Sequence, residues 1–310
     1  MKKMLTIAAL AAIPFFMTSC KKDASGTAKN GSVEVKDNDA DGIIDFNNKF
    51  LKQYKYRTSS IESVIKYAND AVTKSTGGNV FIMSHVSTSF ESISDKIESV
   101  PSGFGKLKGD IEKDFKIFND TNTAIKSKYD ELKSYMSAED YKDDKGAKAK
   151  KIQAEIDAES KNFFEAAERI LVKIKPAADA AEEIILKDHP LKKYILSSKA
   201  MLGSIDNSYT VLEKQFEAGK YNEAEAQKAY DEVNKLLEAN KAQKFETSDS
   251  QSKYKGTSYD NLNTSVNNYL DLLRKLMRDS KAAGKITEGD MSTLDSSYNS
   301  VISSYNTFVN

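Results

Sequence analysis

The apolar residues of this chain recur at three- and four-residue steps and almost nowhere at two, and that spacing is its strongest constraint. Leu107, Ile111, Phe115, Phe118, Ile125, Tyr129, Leu132 and Met136 draw one stripe over about eight helical turns. Asn122 occupies the missing place, either as a polar residue that sets pairing register or as a point where the stripe drifts to the surface. A second stripe, Ile152, Ile156, Phe163, Ala167, Ile170 and Ile174, meets Pro176, a residue that starts a helix more readily than it continues one. Upstream, Phe46, Phe50, Ile61, Ile65, Ala68 and Val72 carry the same spacing, with Ser59 and Glu62 placed as a capping box that restarts the helix after Arg57-Thr58. Gly77-Gly78 closes that unit, and Val80 to Val100 predicts a further helix stopped by Pro101. Four more stripes run from Ile195 to Phe216, Ala226 to Leu236, Leu262 to Leu276 and Met291 to Phe308. The expectation is an all-α fold with essentially no sheet: an elongated antiparallel bundle of about eight helices over residues 43–310, with a candidate subdivision near Pro176. Charged residues at 30%, four prolines and no tryptophan fit long helices with salt-rich outer faces.

The start of the chain reads differently. Met1-Lys2-Lys3 is a short positive segment, Met4 to Met17 is an apolar run of about 14 residues, and Met17-Thr18-Ser19-Cys20 closes it. The run falls short of the ~20 residues a spanning helix needs, so residues 1–19 read as a signal peptide. Cys20 is the only cysteine, and its place after small residues resembles the acylated cysteine of bacterial lipoproteins. The resemblance implies a mature protein held to the membrane by an N-terminal lipid on Cys20, in the outer membrane of a Gram-negative envelope. Residues 20–42 are polar and small, and read as a tether. Lys21-Lys22-Asp23 resembles, in part, the tags that send some Bacteroides-type lipoproteins to the cell surface, which leaves periplasmic and external facing both open. Loss of Lys2 and Lys3 takes the 46 basic side chains to 44 against 46 acidic ones, so nothing attracts the chain generally to nucleic acid. With its one thiol acylated, the folded part would form no disulfide.

The sharpest local motif is Asp37-Asn38-Asp39-Ala40-Asp41-Gly42-Ile43-Ile44-Asp45. Asp37, Asp39 and Asp41 at alternate positions, a glycine for a sharp turn, the carbonyl of Ile43 and then Asp45 match the oxygen-rich loop that calcium selects. The twelfth position is Asn48 where a bidentate glutamate is usual, so the segment is similar to a single calcium linker of the thrombospondin type 3 or dockerin kind. The alternative is an acidic lead-in to the first helix.

Other constellations point to chemistry less well. His85 and His189 lack the company of a zinc helix motif, no nucleophile elbow surrounds a serine, and no strand precedes Gly103-Phe104-Gly105-Lys106 to make it a phosphate loop. The run from Ala218 to Ala224 resembles the turn of a tetratricopeptide repeat, without a second copy; a glycine-containing helix–helix turn is the simpler reading. Lys145, Lys148, Lys150 and Lys151 form a basic cluster that either grazes anionic head groups or is a solvated face. Tyr259, Tyr269, Tyr298 and Tyr305 suit either a polar-aromatic binding strip or the edge of a core.

The lipobox, the polar tether, a first helix opening Phe46-Asn47-Asn48-Lys49, and the runs Asn267-Asn268-Tyr269 and Ser304-Tyr305-Asn306 resemble the helical lipoproteins grouped with YiiG. That resemblance spans residues 46–310 and implies no activity. The chain therefore reads as a non-enzymatic, lipid-anchored scaffold with an envelope protein as partner; the alternative is an ion- or ligand-binding lipoprotein holding calcium at Asp37–Asp45.

Overall fold

A computed structural model describes residues 35–82, 96–247, 249–250 and 252–309. The signal peptide, Cys20, residues 21–34 of the tether and His85 lie outside the described residues. The described residues are helical and contain no strand, as the spacing predicts. They fall into two compact units that meet in sequence at Ile185 and Leu186.

The first unit holds α1 (Asp37–Ser75), a 3-10 segment (Ser102–Leu107), α2 (Lys108–Ser137), a four-residue α3 (Tyr141–Asp144) and α4 (Ala147–Ile185). Helix α1 begins at Asp37, five residues before the expected end of the tether. Asp37 and Asp39 lie in its first turn, where carboxylates complement the helix dipole, and Ala40, Ile43, Phe46 and Phe50 already trace its buried face. The helix also runs through Arg57-Thr58 without the predicted restart. Arg57 is buried against α2, where its Nη1 donates to Asn119 Oδ1 at 2.7 Å and its guanidinium lies 4.6 Å from the Phe118 ring centre.

Packing partners fix the helix directions. Phe46 and Phe50 at the start of α1 meet Phe115 near the start of α2, Tyr67 meets Tyr129, and Ser75 at the end meets Met136. Helices α1 and α2 are thus parallel. Helix α4 is antiparallel to both, with Gly146 beside Ser75, Gln153 bonded to Asn69, Phe163 against Tyr54, and Arg169 paired to Asp114. Sequence reading expects antiparallel neighbours throughout; a parallel pair requires the chain to return the length of a helix about 58 Å long before α2 begins. Residues 78–82 and 96–100, the described ends of that return, are irregular rather than the predicted helix, and the interior of Val80–Val100 is outside the described residues. Val100 and Phe104 bury where the return ends, Phe104 edge-on to Phe46 at 5.3 Å.

Helix α4 reaches both partners closely because its inward face carries Ala149, Ser160, Ala166, Ala167, Ala177, Ala178 and Ala181 between larger residues. Phe163, fully buried, stacks on Phe118 at 4.5 Å. Pro176 lies inside this helix rather than starting a new one. It is exposed, as is Val172 four residues earlier, so the Val172 carbonyl that loses its helical donor faces water. The charged run after Tyr141 is likewise a built turn. Asp144 accepts from the Tyr135 hydroxyl at 2.5 Å and from the Gly146 and Lys148 amides at 2.9 Å each, with Lys145 and Gly146 at φ of 53° and 78°.

The second unit is a ring of four helices, α5 (Lys192–Glu217), α6 (Glu223–Ala242), α7 (Lys255–Ala283) and α8 (Glu288–Val309), each packed on its sequence neighbour and α8 closing on α5. The α5–α6 and α7–α8 turns share one end, joined by the Tyr221 amide donating to the Gly284 carbonyl at 3.1 Å. This is up-and-down order. At the other end the α6–α7 connector packs Phe245 on Tyr194, Tyr259 and Phe308, while the Tyr194 hydroxyl donates to the Lys244 carbonyl at 2.8 Å and accepts from the Glu246 amide at 2.6 Å. His189 also has a structural place: its Nδ1 accepts the Leu191 amide at 3.1 Å just before α5.

Phe163→Ala removes the ring that α1, α2 and α4 share. The expected cost is about 3–5 kcal/mol, read as a lower urea midpoint at unchanged slope.

Candidate functional site

An open cleft of about 920 Å³ at the α5–α6 turn is lined by Lys214, Gln215, Lys220, Tyr221, Asn222 and Gln227, among others. Gly219, at φ of 63°, turns the chain there, and Asn222 caps α6 by accepting the Glu225 amide at 3.3 Å. Gln215 clamps the turn from α5, its Oε1 taking the Asn222 amide at 2.8 Å and its Nε2 donating to the Asn222 carbonyl at 3.2 Å. The Tyr221 ring is half-buried, and its enclosed hydroxyl makes no hydrogen bond among the described residues. Burial, and secondarily the Glu223 charge, raises the pKa of that phenol. The cleft thus offers side-chain amides, ammoniums and carboxylates around the Tyr221 ring, a set suited to hydrogen-bonding recognition. The tetratricopeptide-like run is this turn, a single helix–helix connection.

The predicted calcium residues occupy the first turns of α1 rather than a loop. At 100° per residue, Asp37, Asp41 and Asp45 share one face, while Asp39 projects to another, beside Gly103. Asp45 is ion-paired with Lys49 at 2.8 Å, and the Ile43 side chain is wholly buried. Among the described residues, no three His, Cys, Asp or Glu side chains converge as a metal site. A calcium loop here would have to unwind the start of α1 and withdraw Ile43 from the core.

The tyrosine strip is overturned. Tyr259, Tyr269 and Tyr298 are core residues, at most 1% exposed, and their hydroxyls bond inside the unit, to the Asn240 carbonyl at 3.2 Å, Ser208 at 2.7 Å and Asp206 at 3.2 Å respectively. Tyr305 is half-buried. Of the basic cluster, Lys148 pairs with Glu131 at 3.3 Å and Lys151 with Glu155 at 4.0 Å, which is the solvated-face arrangement.

Two carboxylates stand out that sequence reading passed over. Asp114, buried, accepts from Arg169 Nε at 2.8 Å and Lys173 Nζ at 2.5 Å. Burial by itself would raise its pKa; the hydrogen bonds and charges of Lys173 and Arg169 outweigh that and hold it below the usual carboxylate range. Its signal was its place three residues after Ile111, on the apolar stripe. Asp206, half-buried on α5, accepts from the Tyr298 hydroxyl at 3.2 Å, and burial pushes its pKa up to about 6 against the lowering effect of that bond.

Neither a family model nor a curated protein matches the chain. Two solved structures align over most of it. One is an alpha-helical protein from Bacteroides fragilis, 17% identical, covering 84% of this chain and 98% of that one, with a TM-score of 0.48. The other is a DUF3829-like protein from Bacteroides thetaiotaomicron, 13% identical, covering 85% and 99%, with a TM-score of 0.43. No helix among the described residues is long and apolar enough to cross a membrane.

Gly42 discriminates helix from calcium loop. It is exposed in α1, with open space where a Cβ would sit, so Gly42→Ala should stabilise by about 0.5–1 kcal/mol, whereas a loop needing a sharp turn there would lose stability. Millimolar calcium should leave the melting temperature of both forms unchanged, and a saturable rise lost in Asp39→Asn plus Asp41→Asn would establish the loop instead.

Asp114→Ala strands two cations against α2 and should cost about 1–3 kcal/mol in chemical denaturation. Because its folded pKa is depressed, the contribution of Asp114 is complete above the unfolded value near pH 4 and is lost as pH falls through the folded one. The gap between wild type and Asp114→Asn should therefore close on acidification.

Proposed function

We propose that this chain is a lipid-anchored, non-enzymatic interaction module of a Gram-negative envelope. The observation that carries the reading is Cys20, the sole cysteine, placed after an apolar leader too short to span and before a polar run that continues almost to α1 at Asp37. A lipid there would hold the domain at the membrane surface, and residues 21–34, rich in Lys, Ser, Gly and Ala, would let it search a shell around its anchor at high effective concentration. Two helical units with ion-paired outer faces are suited to presenting surface rather than enclosing a substrate. The cleft at the α5–α6 turn is the polar contact we assign to the partner. The Gln215 side chain clamps the Asn222 backbone, so a partner would meet a preformed turn there.

The experiment is in-cell crosslinking and affinity recovery of the wild-type chain beside Cys20→Ser and Tyr221→Ala. Wild type is expected in the membrane fraction with one envelope protein enriched. Cys20→Ser should move to the soluble fraction and lose that partner, and Tyr221→Ala should stay anchored and recover at least about tenfold less of it. Membrane fractionation unchanged by Cys20→Ser would overturn the anchor, and recovery indifferent to Tyr221→Ala would overturn the cleft as the contact.

A further inference from the structure

The buried carboxylate of the first unit is outnumbered by its cations. Asp114 on α2 takes Arg169 Nε at 2.8 Å and Lys173 Nζ at 2.5 Å, and no other acid among the described residues pairs with either, so the trio carries one excess positive charge. Holding Arg169 by Nε fixes the plane of its guanidinium and leaves the Nη edge for a second oxyanion, with 44% of the side chain exposed. Acids nearby along both helices are matched by lysines of their own. Asp110 pairs with Lys113 and Glu112 with Lys108, each at 3.7 Å, while Glu165 pairs with Lys161 at 3.8 Å and Asp179 with Lys175 at 2.8 Å. Glu168 bears instead on the Tyr54 phenol of α1.

Apolar side chains stand beside this charge. Arg169, Val172, Lys173 and Pro176 recur at the three- and four-residue steps that put them on one face of α4, where Val172 is 68% exposed and Pro176 is open to water. Ile117, one turn along α2 from Asp114, is 39% exposed. A face that is cationic and apolar at once suits the boundary where lipid phosphate meets acyl chain. Its position agrees. Phe115, next to Asp114, packs on Phe46 and Phe50, so the face lies level with the first turns of α1. That is roughly 14 Å from Asp37, where the tether joins, on a helix about 58 Å long.

We propose that Arg169 and Lys173, with Val172 and Pro176 beside them, are a docking face for the phosphate head groups of an anionic membrane. The contact rests on the anchored reading above, which brings the tether end of this unit to the lipid surface. Arg169 supplies the fork, Lys173 the excess charge, and the exposed aliphatic groups enter the head-group layer. The basic cluster at Lys148 and Lys151 lies at the other end of α4 with its charges paired to glutamates.

The test uses the chain from Cys20 onward, the whole of what the proposed processing leaves, with its one thiol coupled to a maleimide lipid. The anchor is thereby supplied chemically, so failure of natural acylation at Cys20 leaves the result readable. Lysine acetylation at low ionic strength, mapped by mass spectrometry, should label Lys173 at least about fivefold more slowly on phosphatidylglycerol vesicles than on phosphatidylcholine vesicles, with Lys148 labelled alike on both. Val172→Asp, which leaves the Asp114 pairs in place, should abolish that protection. Equal labelling of Lys173 on the two vesicles, equal protection of Lys148, or protection undiminished in Val172→Asp would overturn the face. Protection on phosphatidylcholine vesicles by inorganic phosphate, at ionic strength matched with chloride, would identify a free oxyanion as the ligand and overturn the lipid.

Discussion

The first unit depends on the burial of one face of α4 between two parallel helices. That face alternates small and large: alanines and Ser160 let the backbones approach, while Ile152, Ile156, Phe163, Ile170 and Ile174 fill the spaces. Phe163 meets Tyr54 of α1 and Phe118 of α2, and Phe115 and Phe118 reach Phe50 of α1. The parallel pair thus touches mainly through rings, while α4 lies close to both. Much else follows from that geometry. The chain must return the length of α1 before α2 begins, Val100 and Phe104 must bury where it arrives, and Gly146 must pass Ser75 so tightly that a Cβ would come within 2.6 Å.

Buried Asp114 and half-buried Asp206 show how one penalty is resolved in two ways. Asp114 and Asp206 both lose water. Arg169 and Lys173, one turn apart on α4, converge on Asp114 and favour its charge; Asp206 has the Tyr298 hydroxyl and no cation partner among the described residues, and burial outweighs that bond to disfavour its charge. Tyrosine hydroxyls serve the second unit as internal polar ties, with Tyr194, Tyr259, Tyr269 and Tyr298 each bonded within it. A core of this kind is specified by hydrogen-bond matching as well as by volume, so its side chains are committed to the fold rather than to a ligand.

Legibility differed by feature for identifiable reasons. The stripe through Leu107 to Met136 named α2 nearly to its ends because period and burial coincide there. Asp37–Asp45 reads two ways in sequence because alternate aspartates before a glycine satisfy a calcium loop and a helix lead-in at once, and the structure continues α1 through them on the Ala40, Ile43, Phe46 spacing. Arg57-Thr58 looked like a break because the cation's partners, Asn119 and the Phe118 ring, are some sixty residues away in sequence. Pro176 reads in sequence as a helix start because sequence does not say which side of a helix a proline faces. The cleft was visible only as a glycine turn, since the Gln215 clamp joins residues on different helices.

What the sequence by itself determined was local. Periodicity placed most helices and pointed away from sheet, a glycine marked the α5–α6 turn, and the leader with Cys20 carries the expectation of an anchor, because each is encoded in neighbouring residues. The tertiary structure alone decided that α1 and α2 run parallel, that the chain divides after Ile185, that four tyrosines are internal, and that a buried aspartate meets cations while a half-buried one meets a phenol. Those outcomes depend on which faces meet across long sequence separations, and a helical stripe specifies that a face is buried without naming the face that covers it.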